Sequence, residues 1–169
     1  MLTGPTFTLR GTTPSDRADL FAVASDPSIW ELHPSPDRWQ EAVFGQFFAE
    51  GLASGGMLTV RQTASGAVVG SSRFSTEYAE DGEVEIGWTF LARSHWGGAA
   101  NREMKHLMLT HAFGSFATVI FCVGKDNVRS RRAVEKIGGR LLDRPAHDKR
   151  PDHVTYAIVR EQFHGLMDS

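Results

Sequence analysis

A chain of 169 residues with net charge −2 and a single cysteine excludes several classes at once. It is long enough to bury the core of one domain without metal or disulfide staples, Cys122 has no partner for an internal disulfide, and the charge argues against a general nucleic-acid binder. With 41% apolar and 22% charged residues, and no apolar run near the ~20 residues that span a bilayer, the composition is that of a soluble globular protein. Met1-Leu2-Thr3-Gly4-Pro5 lacks a basic segment followed by an apolar stretch, so no secretory signal is read. The expectation is one cytoplasmic domain over residues 1–169, with no nucleic-acid or membrane partner and with monomer and homodimer both open.

In chain order, Phe7–Arg10 reads as a first strand. Thr13-Pro14-Ser15-Asp16 opens a helix, with a capping hydroxyl, Pro at the first helical position and an early acid; Asp26-Pro27 ends it. Residues 30–36 read as loop. Ser35-Pro36-Asp37 opens a second helix carrying Trp39, Val43, Phe44, Phe47 and Phe48 at helical spacing, stopped by Gly55-Gly56. Met57–Arg61 and Val68–Phe74 flank a tight turn and read as a hairpin.

An acidic loop leads to the strand Glu83–Phe90, whose internal Gly87 suggests a bulge or a close backbone approach. A turn at 93–98 precedes a helix over Asn101–Phe113, with Met104, Leu107, Met108, His111 and Ala112 on the apolar side and Arg102, Glu103, Lys105 and His106 away from it. Val119–Val123 is an apolar run suited to a central strand. There Cys122 reads as a small buried hydrophobe rather than a nucleophile. Asp126-Asn127 opens a further helix that stops at Gly138-Gly139, and Arg140–Asp143 and His153–Val159 complete the strands. The order predicts a mixed α/β domain, hairpins first and helix–strand alternation later.

Charge is unevenly spread. Residues 76–85 carry Glu77, Glu80, Asp81, Glu83 and Glu85 with no basic residue, whereas residues 125–150 are strongly basic. Two solvated faces explain this as well as one cation-attracting and one anion-attracting end. The segment with chemical promise is strand, short Gly-containing turn, helix: Trp88-Thr89-Phe90, then Trp96-Gly97-Gly98-Ala99-Ala100-Asn101. Free backbone N–H groups and the dipole at a helix start hold phosphates, but the turn has neither the Lys-Ser/Thr of a nucleotide loop nor dinucleotide Gly spacing.

The run Glu85-Ile86-Gly87-Trp88-Thr89-Phe90, then Trp96-Gly97-Gly98, His111-Ala112-Phe113 and the string from Asn127-Val128-Arg129-Ser130 to Glu135-Lys136-Ile137-Gly138 resembles the GNAT superfamily of acetyl-CoA-dependent N-acetyltransferases. Within it the chain looks like the RimJ/RimL branch of ribosomal-protein N-terminal acetyltransferases. The resemblance implies a twisted, mixed but mostly antiparallel sheet with helices on both faces, splayed between its fourth strand (here Glu83–Phe90) and its fifth (here Val119–Val123). Pantetheine would lie in the gap against Trp88, Phe90 and Leu91. The pyrophosphate would sit on Trp96, Gly97, Gly98, Ala99, Ala100 and Asn101. Asn127 and Ser130 would flank the pantetheine, with Arg132, Arg129 or Arg131 near the nucleotide phosphates. No metal is implied.

Two departures from the family pattern stand out. Its phosphate turn is usually Gln or Arg, two residues, Gly, one residue, then Gly or Ala; those places hold Trp96, Ala99 and Asn101. Ala99 would make a positive φ costly, and Asn101 could instead cap the helix. The Tyr that many relatives carry seven residues after the Asn, to protonate the leaving thiolate, is Val134, which leaves Ser130, a water or no acid.

An amine attacks a thioester only when neutral, and a carboxylate, directly or through water, can take its proton. Glu85 matches the family's place for it, and strand alternation puts Glu83, Glu85 and Gly87 on one face with Val84, Ile86 and Trp88 on the other. Trp30, His33, Trp39 and Tyr78 either line the acceptor pocket or pack in the core, with His33 a second candidate base. The acidic stretch suggests a cationic acceptor, and a protein N-terminus is an alternative. An acyl-CoA-binding sensor without turnover, or a protein-binding domain without coenzyme A, are the competing readings.

Overall fold

The structure, a computed structural model, describes residues 1–97 and 99–167, with side chains as far as Phe163. The strands are β1 (Leu2–Thr3), β2 (Phe7–Gly11), β3 (Met57–Gln62), β4 (Val68–Ser75), β5 (Glu83–Leu91), β6 (Thr118–Gly124), β7 (Arg140–Leu141) and β8 (His153–Val159). The helices are α1 (Arg17–Ala24), α2 (Glu41–Ser54), α3 (Ala99–Ala112), α4 (Val128–Lys136) and α5 (Arg160–Met167). All eight strands form one sheet in the order β1-β2-β3-β4-β5-β6-β8-β7. Every pairing is antiparallel except β5 with β6.

Helices cover both faces. On one, α1 and α2 bring Leu20, Ala24, Phe44, Phe47 and Phe48 onto Trp30, Met57 and Phe90. On the other, Met104, Met108 and Leu109 of α3, Val134 of α4 and Phe163 of α5 pack on Phe7, Leu9, Val84, Ile86 and Phe121. Burying these side chains is the main source of stability, at roughly 1.5–3 kcal/mol for each large one. A polar anchor joins the first strands to α1. Asp16 is 1% exposed and accepts from Arg10, Arg61 and the Thr13 backbone N–H. Burial alone would raise its pKa, but the hydrogen bonds from Thr13, Arg61 and Arg10 outweigh burial and hold it at about 2.

Local differences from the sequence reading have packing causes. The second helix starts at Glu41, not near Asp37, because residues 31–40 run as turns and bends; Trp39 is 40% exposed, and the first deeply buried anchor is Phe44. Only Arg140–Leu141 of the expected strand Arg140–Asp143 pairs with β8. The chain then leaves the sheet as a long loop over 142–152. Helix α5 lacked a signal long enough to read. Among the described residues, no helix is long and apolar enough to cross a membrane.

Candidate active site

β5 and β6 pair at only three positions, Glu83–Thr118, Val84–Val119 and Glu85–Ile120, and then part. On its other side β5 stays paired with β4 as far as Leu91–Gly70. From Ile86 onward, the β6-facing edge of β5 therefore has no strand partner among the described residues, and its backbone groups are open to an extended amide chain. The gap is a cavity of about 770 Å³. Trp88, Phe90, Leu91, Trp96, Gly97, Asn101, Asn127, Ser130 and Arg132 all line it. Thus most of the residues expected to hold the cofactor come together on one cleft. Ala99 is exposed, Ala100 packs on the core, and neither lines the cavity. Gly98 lies outside the described residues.

A bulge re-aims β5 where the strands part. Register shifts between Ser71 and Arg73, so that one extra β5 residue is inserted. The residue that takes the left-handed backbone is Trp88 (φ 51°), not Gly87. For a bulky side chain that conformation costs about 1–2 kcal/mol and marks a constrained site. It also breaks the simple alternation. Trp88 joins the α1–α2 face, where its indole meets the guanidinium groups of Arg73 (4.5 Å) and Arg150 (4.6 Å), instead of sharing a face with Val84 and Ile86. A Cβ on Gly87 would stand 2.8 Å from Glu85 Oε1, so a side chain there would push against that carboxylate.

At the outer end, among the described residues of the turn, the positive φ falls on Gly97 (63°), while Ala99 opens α3 in ordinary helical geometry. The substitution at Ala99 therefore carries no backbone penalty. Asn101 is inside the first turn of α3 and cannot be its cap. Trp96 occupies the usual Gln/Arg place; its Nε1 donates to Leu91 O (2.9 Å) and Arg129 lies 3.9 Å over its ring. Arg102, Arg129, Arg132 and Lys136 line the cleft. Arg131 turns away, donating to Tyr156 Oη and Lys125 O. The charge pattern and helix start suit phosphate groups.

Asn127 caps α4, its Oδ1 accepting from the Ser130 backbone N–H (3.2 Å). Val134, in the place of the family's Tyr, is buried. Tyr156 is no substitute, since its hydroxyl donates to Glu135 Oε1 and the residue is not on the cavity wall. Of the groups read from sequence as proton donors, Ser130 is the one at the cleft.

Glu85 is not a solvated strand residue. It is 1% exposed. Its Oε1 accepts from Arg150 Nη1 at 2.8 Å, and its Oε2 is buried without a hydrogen-bond partner. Burial raises its pKa, against the lowering effect of Arg150. Arg150 in turn lies 3.8 Å over Tyr78, which brings Tyr78 to the same cluster. Cys122 lines the cavity beside Glu85; burial and then the Glu85 charge push its thiol up to about 11, so it stays protonated at neutral pH.

The remaining aromatic and histidine candidates separate. Trp30 is 2% exposed and its Nε1 donates to Ala24 O, so it is a core residue rather than a pocket wall. Trp39 sits on the surface away from the cavity lining. His33 does line the cavity. Burial, and after it Arg38, push its pKa down to about 3. Ser35 N–H donates to Nδ1, so the neutral ring carries its proton on Nε2 and has no free lone pair with which to act as a base. The acidic stretch is largely neutralised: Arg144 pairs with Glu83 and Glu80, and Arg150 with Glu85.

Sequence reasoning missed Lys105. Placed on the outer face of its helix by periodicity, it is in fact 9% exposed and lines the cavity. Its Nζ donates to Thr89 Oγ1 (2.7 Å) and lies 5.6 Å from the Phe121 ring centre. Burial pushes its pKa down to about 7. The splay exposes this flank of α3 to the cleft rather than to solvent, which periodicity alone does not reveal. His153, also missed, lines the cavity from the start of β8. Among the described residues, no group of three or more His, Cys, Asp or Glu side chains could hold a metal.

Comparison with known proteins agrees with this architecture. A family model described as the acetyltransferase (GNAT) domain matches residues 6–140. No curated protein gives a significant match. A GCN5-related N-acetyltransferase from Brucella melitensis superposes with TM-score 0.80 at 20% identity, covering 99% of this chain and 81% of that one. RimJ from Mycobacterium smegmatis, in complex with CoA-disulfide, gives 0.68 at 20% identity, with 96% and 88% covered. The spermidine N-acetyltransferase of Vibrio cholerae, in complex with CoA and spermine, gives 0.69 at 13% identity, with 95% and 99% covered. Together with the splayed strands and the helix capped by Asn127, the family match makes this chain a member of the GNAT acetyltransferase family and an acyltransferase enzyme.

Proposed function

We propose that the chain, working as one domain, transfers an acetyl group from acetyl-CoA to a primary amine by direct attack while both substrates are bound. The observation that carries this reading is the parting of β5 and β6 immediately after Glu85–Ile120, which opens a cleft with a basic end from Ile86 and Gly87 onward and leaves the buried Glu85 carboxylate just behind its lining. The residues suit the donor. The open edge Trp88–Leu91 would pair with pantetheine amides, Asn127 and Ser130 would flank it, and the turn at Trp96–Asn101 with Arg129 and Arg132 would take the phosphates. The donor supplies the activated acyl group.

The protein's own part is proton transfer and orientation. Glu85, raised by burial, is a stronger base than a free glutamate, and its partnerless Oε2 can accept the proton of the amine through a water or once Arg150 shifts. Backbone N–H groups of the open β5 edge can stabilise developing negative charge, and the Ser130 hydroxyl holds a proton for the leaving group. Membership of the RimJ/RimL branch is supported by the Asn127–Gly138 string and the likeness to RimJ; the acceptor is then a protein N-terminus or a small amine. A cationic acceptor loses the support of the acidic stretch once Arg144 and Arg150 pair with it.

A second reading, an acyl-CoA sensor without turnover, is favoured by two observations: Glu85 is sealed by Arg150, and Val134 replaces the family's acid. One experiment divides them. Thiol release from acetyl-CoA is followed with a panel of amino acids, peptides and polyamines, alongside the melting temperature with acetyl-CoA. Amine-dependent release supports transfer. A raised melting temperature without release from any amine supports the sensor.

A further inference from the structure

Behind His33 and Trp88, which line the cleft, α2, β4 and the loops carry three arginines joined through shared aromatic rings. Arg38 lies 4.6 Å over Phe47 and 5.7 Å over Trp30. Arg73 lies 5.6 Å over the same Phe47 and 4.5 Å over Trp88. Arg150 lies 4.6 Å over the same Trp88. Three like charges are thereby gathered behind the cleft-lining Trp88 and His33, and the carboxylate in contact with them is that of Glu85, on Arg150.

The other two guanidinium groups lack an acceptor. Arg73 is 5% exposed, and its Nε and Nη2 are buried with no hydrogen-bond partner. Arg38 Nη1 faces His33 Nε2 at 3.4 Å, but that nitrogen carries the ring proton, so the contact joins two donors. Glu50, Glu77 and Asp37, the next carboxylates to influence them, are exposed. Among the described residues, none of these makes an ion pair with Arg38 or Arg73. Burial lowers the pKa of both arginines, that of Arg38 to about 10. A buried guanidinium fork with open donors matches the paired oxygens of a carboxylate or phosphate, and burying it unpaired is unfavourable.

Resting on the amine-transfer reading above, we propose that the acceptor amine also carries an oxyanion, a carboxylate or a phosphate, and that Arg38 and Arg73 bind it. Arg150 links this anion site to Glu85, so that a zwitterionic acceptor lays its anion on the arginines and its ammonium toward the carboxylate that takes its proton. The substrate class is then amino acids or amino phosphates, not polyamines.

Calorimetry on the full chain, with and without coenzyme A, tests this with four acetylated amines as product-like probes: N-acetylglycine, N-acetylethanolamine phosphate, N-acetylglycinamide and N-acetylputrescine. The expected result is that an anionic probe binds at least ~10-fold more tightly than the neutral amide and the cation. Whichever anion binds distinguishes carboxylate from phosphate. Arg38→Met and Arg73→Met should each remove that preference while coenzyme A affinity is retained; Arg38 is only half-buried, so its variant keeps the test alive if the Arg73 variant does not fold. Equal binding of all four probes, no binding of any, preference for N-acetylputrescine, or an anion preference unchanged in Arg38→Met would overturn the proposal. Failure of the amine-transfer reading shows separately, as acetyl-CoA that is not consumed with any amine, because probe binding is read without turnover.

Discussion

The lining of the cleft and the charged cluster behind it are assembled in different ways. The lining that suits the cofactor comes mostly from one continuous stretch, β5 through α4, in which each element is followed directly by its neighbour in space. The cluster behind Trp88 and His33 is brought together from four separate places: the loop before α2, α2 itself, β4 and the loop over 142–152. Its key ion pairs join residues 61 and 65 positions apart, Arg144 with Glu83 and Arg150 with Glu85. Consequently the lining shows as a motif, and the cluster behind it shows only as scattered charges and aromatics.

Mutations should respect that division. The largest effect is expected from Glu85→Gln, which should lower acceptor turnover by at least ~10-fold while the dissociation constant for coenzyme A is unchanged; a variant that turns over normally would remove Glu85 from the chemistry. In the wild type, kcat/KM should rise with pH through an inflection above 4.5, because burial raises Glu85 above its ordinary value and only the ionised form accepts a proton. An inflection at or below 4.5 would contradict the burial argument.

Next, Gly97→Ala places an L side chain at φ 63°, at a cost of about 1–2 kcal/mol. It should weaken coenzyme A binding by roughly threefold to tenfold without changing acceptor KM. A change in acceptor KM alone would blur the two regions.

Lys105→Met probes stability rather than catalysis. The lysine's folded pKa of about 7 lies below its unfolded 10.5, so between those pH values the unfolded chain binds the extra proton and stability rises with pH. The variant should lose that slope, and below pH 7 it should melt higher by about 4 °C, since it no longer buries an ammonium without a carboxylate partner. Identical pH slopes in both proteins would refute the burial of a charged Lys105.

The smallest effect is expected from Arg132→Ala. Arg132 is an exposed group at the basic end of the cleft, so its loss should weaken coenzyme A binding by about threefold at low salt and by less at high salt. A salt-independent loss would mean a packing role instead.

Much of the fold was legible because its signals are local. Thr13-Pro14-Ser15-Asp16, Gly55, Asn127 and Gly138 punctuate the elements, and the alternation in β2 and the apolar run of β6 state which faces are buried. Boundaries moved where burial rather than propensity decided them, as at Glu41, and at Ala99 rather than Asn101. Two site residues were misjudged for the same reason. Trp88 changed face because a bulge adds one residue to the period-two count, and Lys105 turned inward because two strands part in front of it.

By itself, then, the sequence determined the family and most of the element order, and it proposed Asn127 and Ser130 for the cofactor and Glu85 for the base. Those features depend on residues close together in the chain, whose spacing and backbone preferences act before any tertiary contact forms. Only the tertiary structure decided that Glu85 is sealed beneath Arg150, that Glu80 and Glu83 of the acidic run pair with Arg144 of the loop over 142–152, and that Arg38 and Arg73 meet over Phe47 with open donors. Burial and charge pairing between distant segments set those outcomes, because the energy of a charge depends on what surrounds it in space and not on its neighbours in the chain.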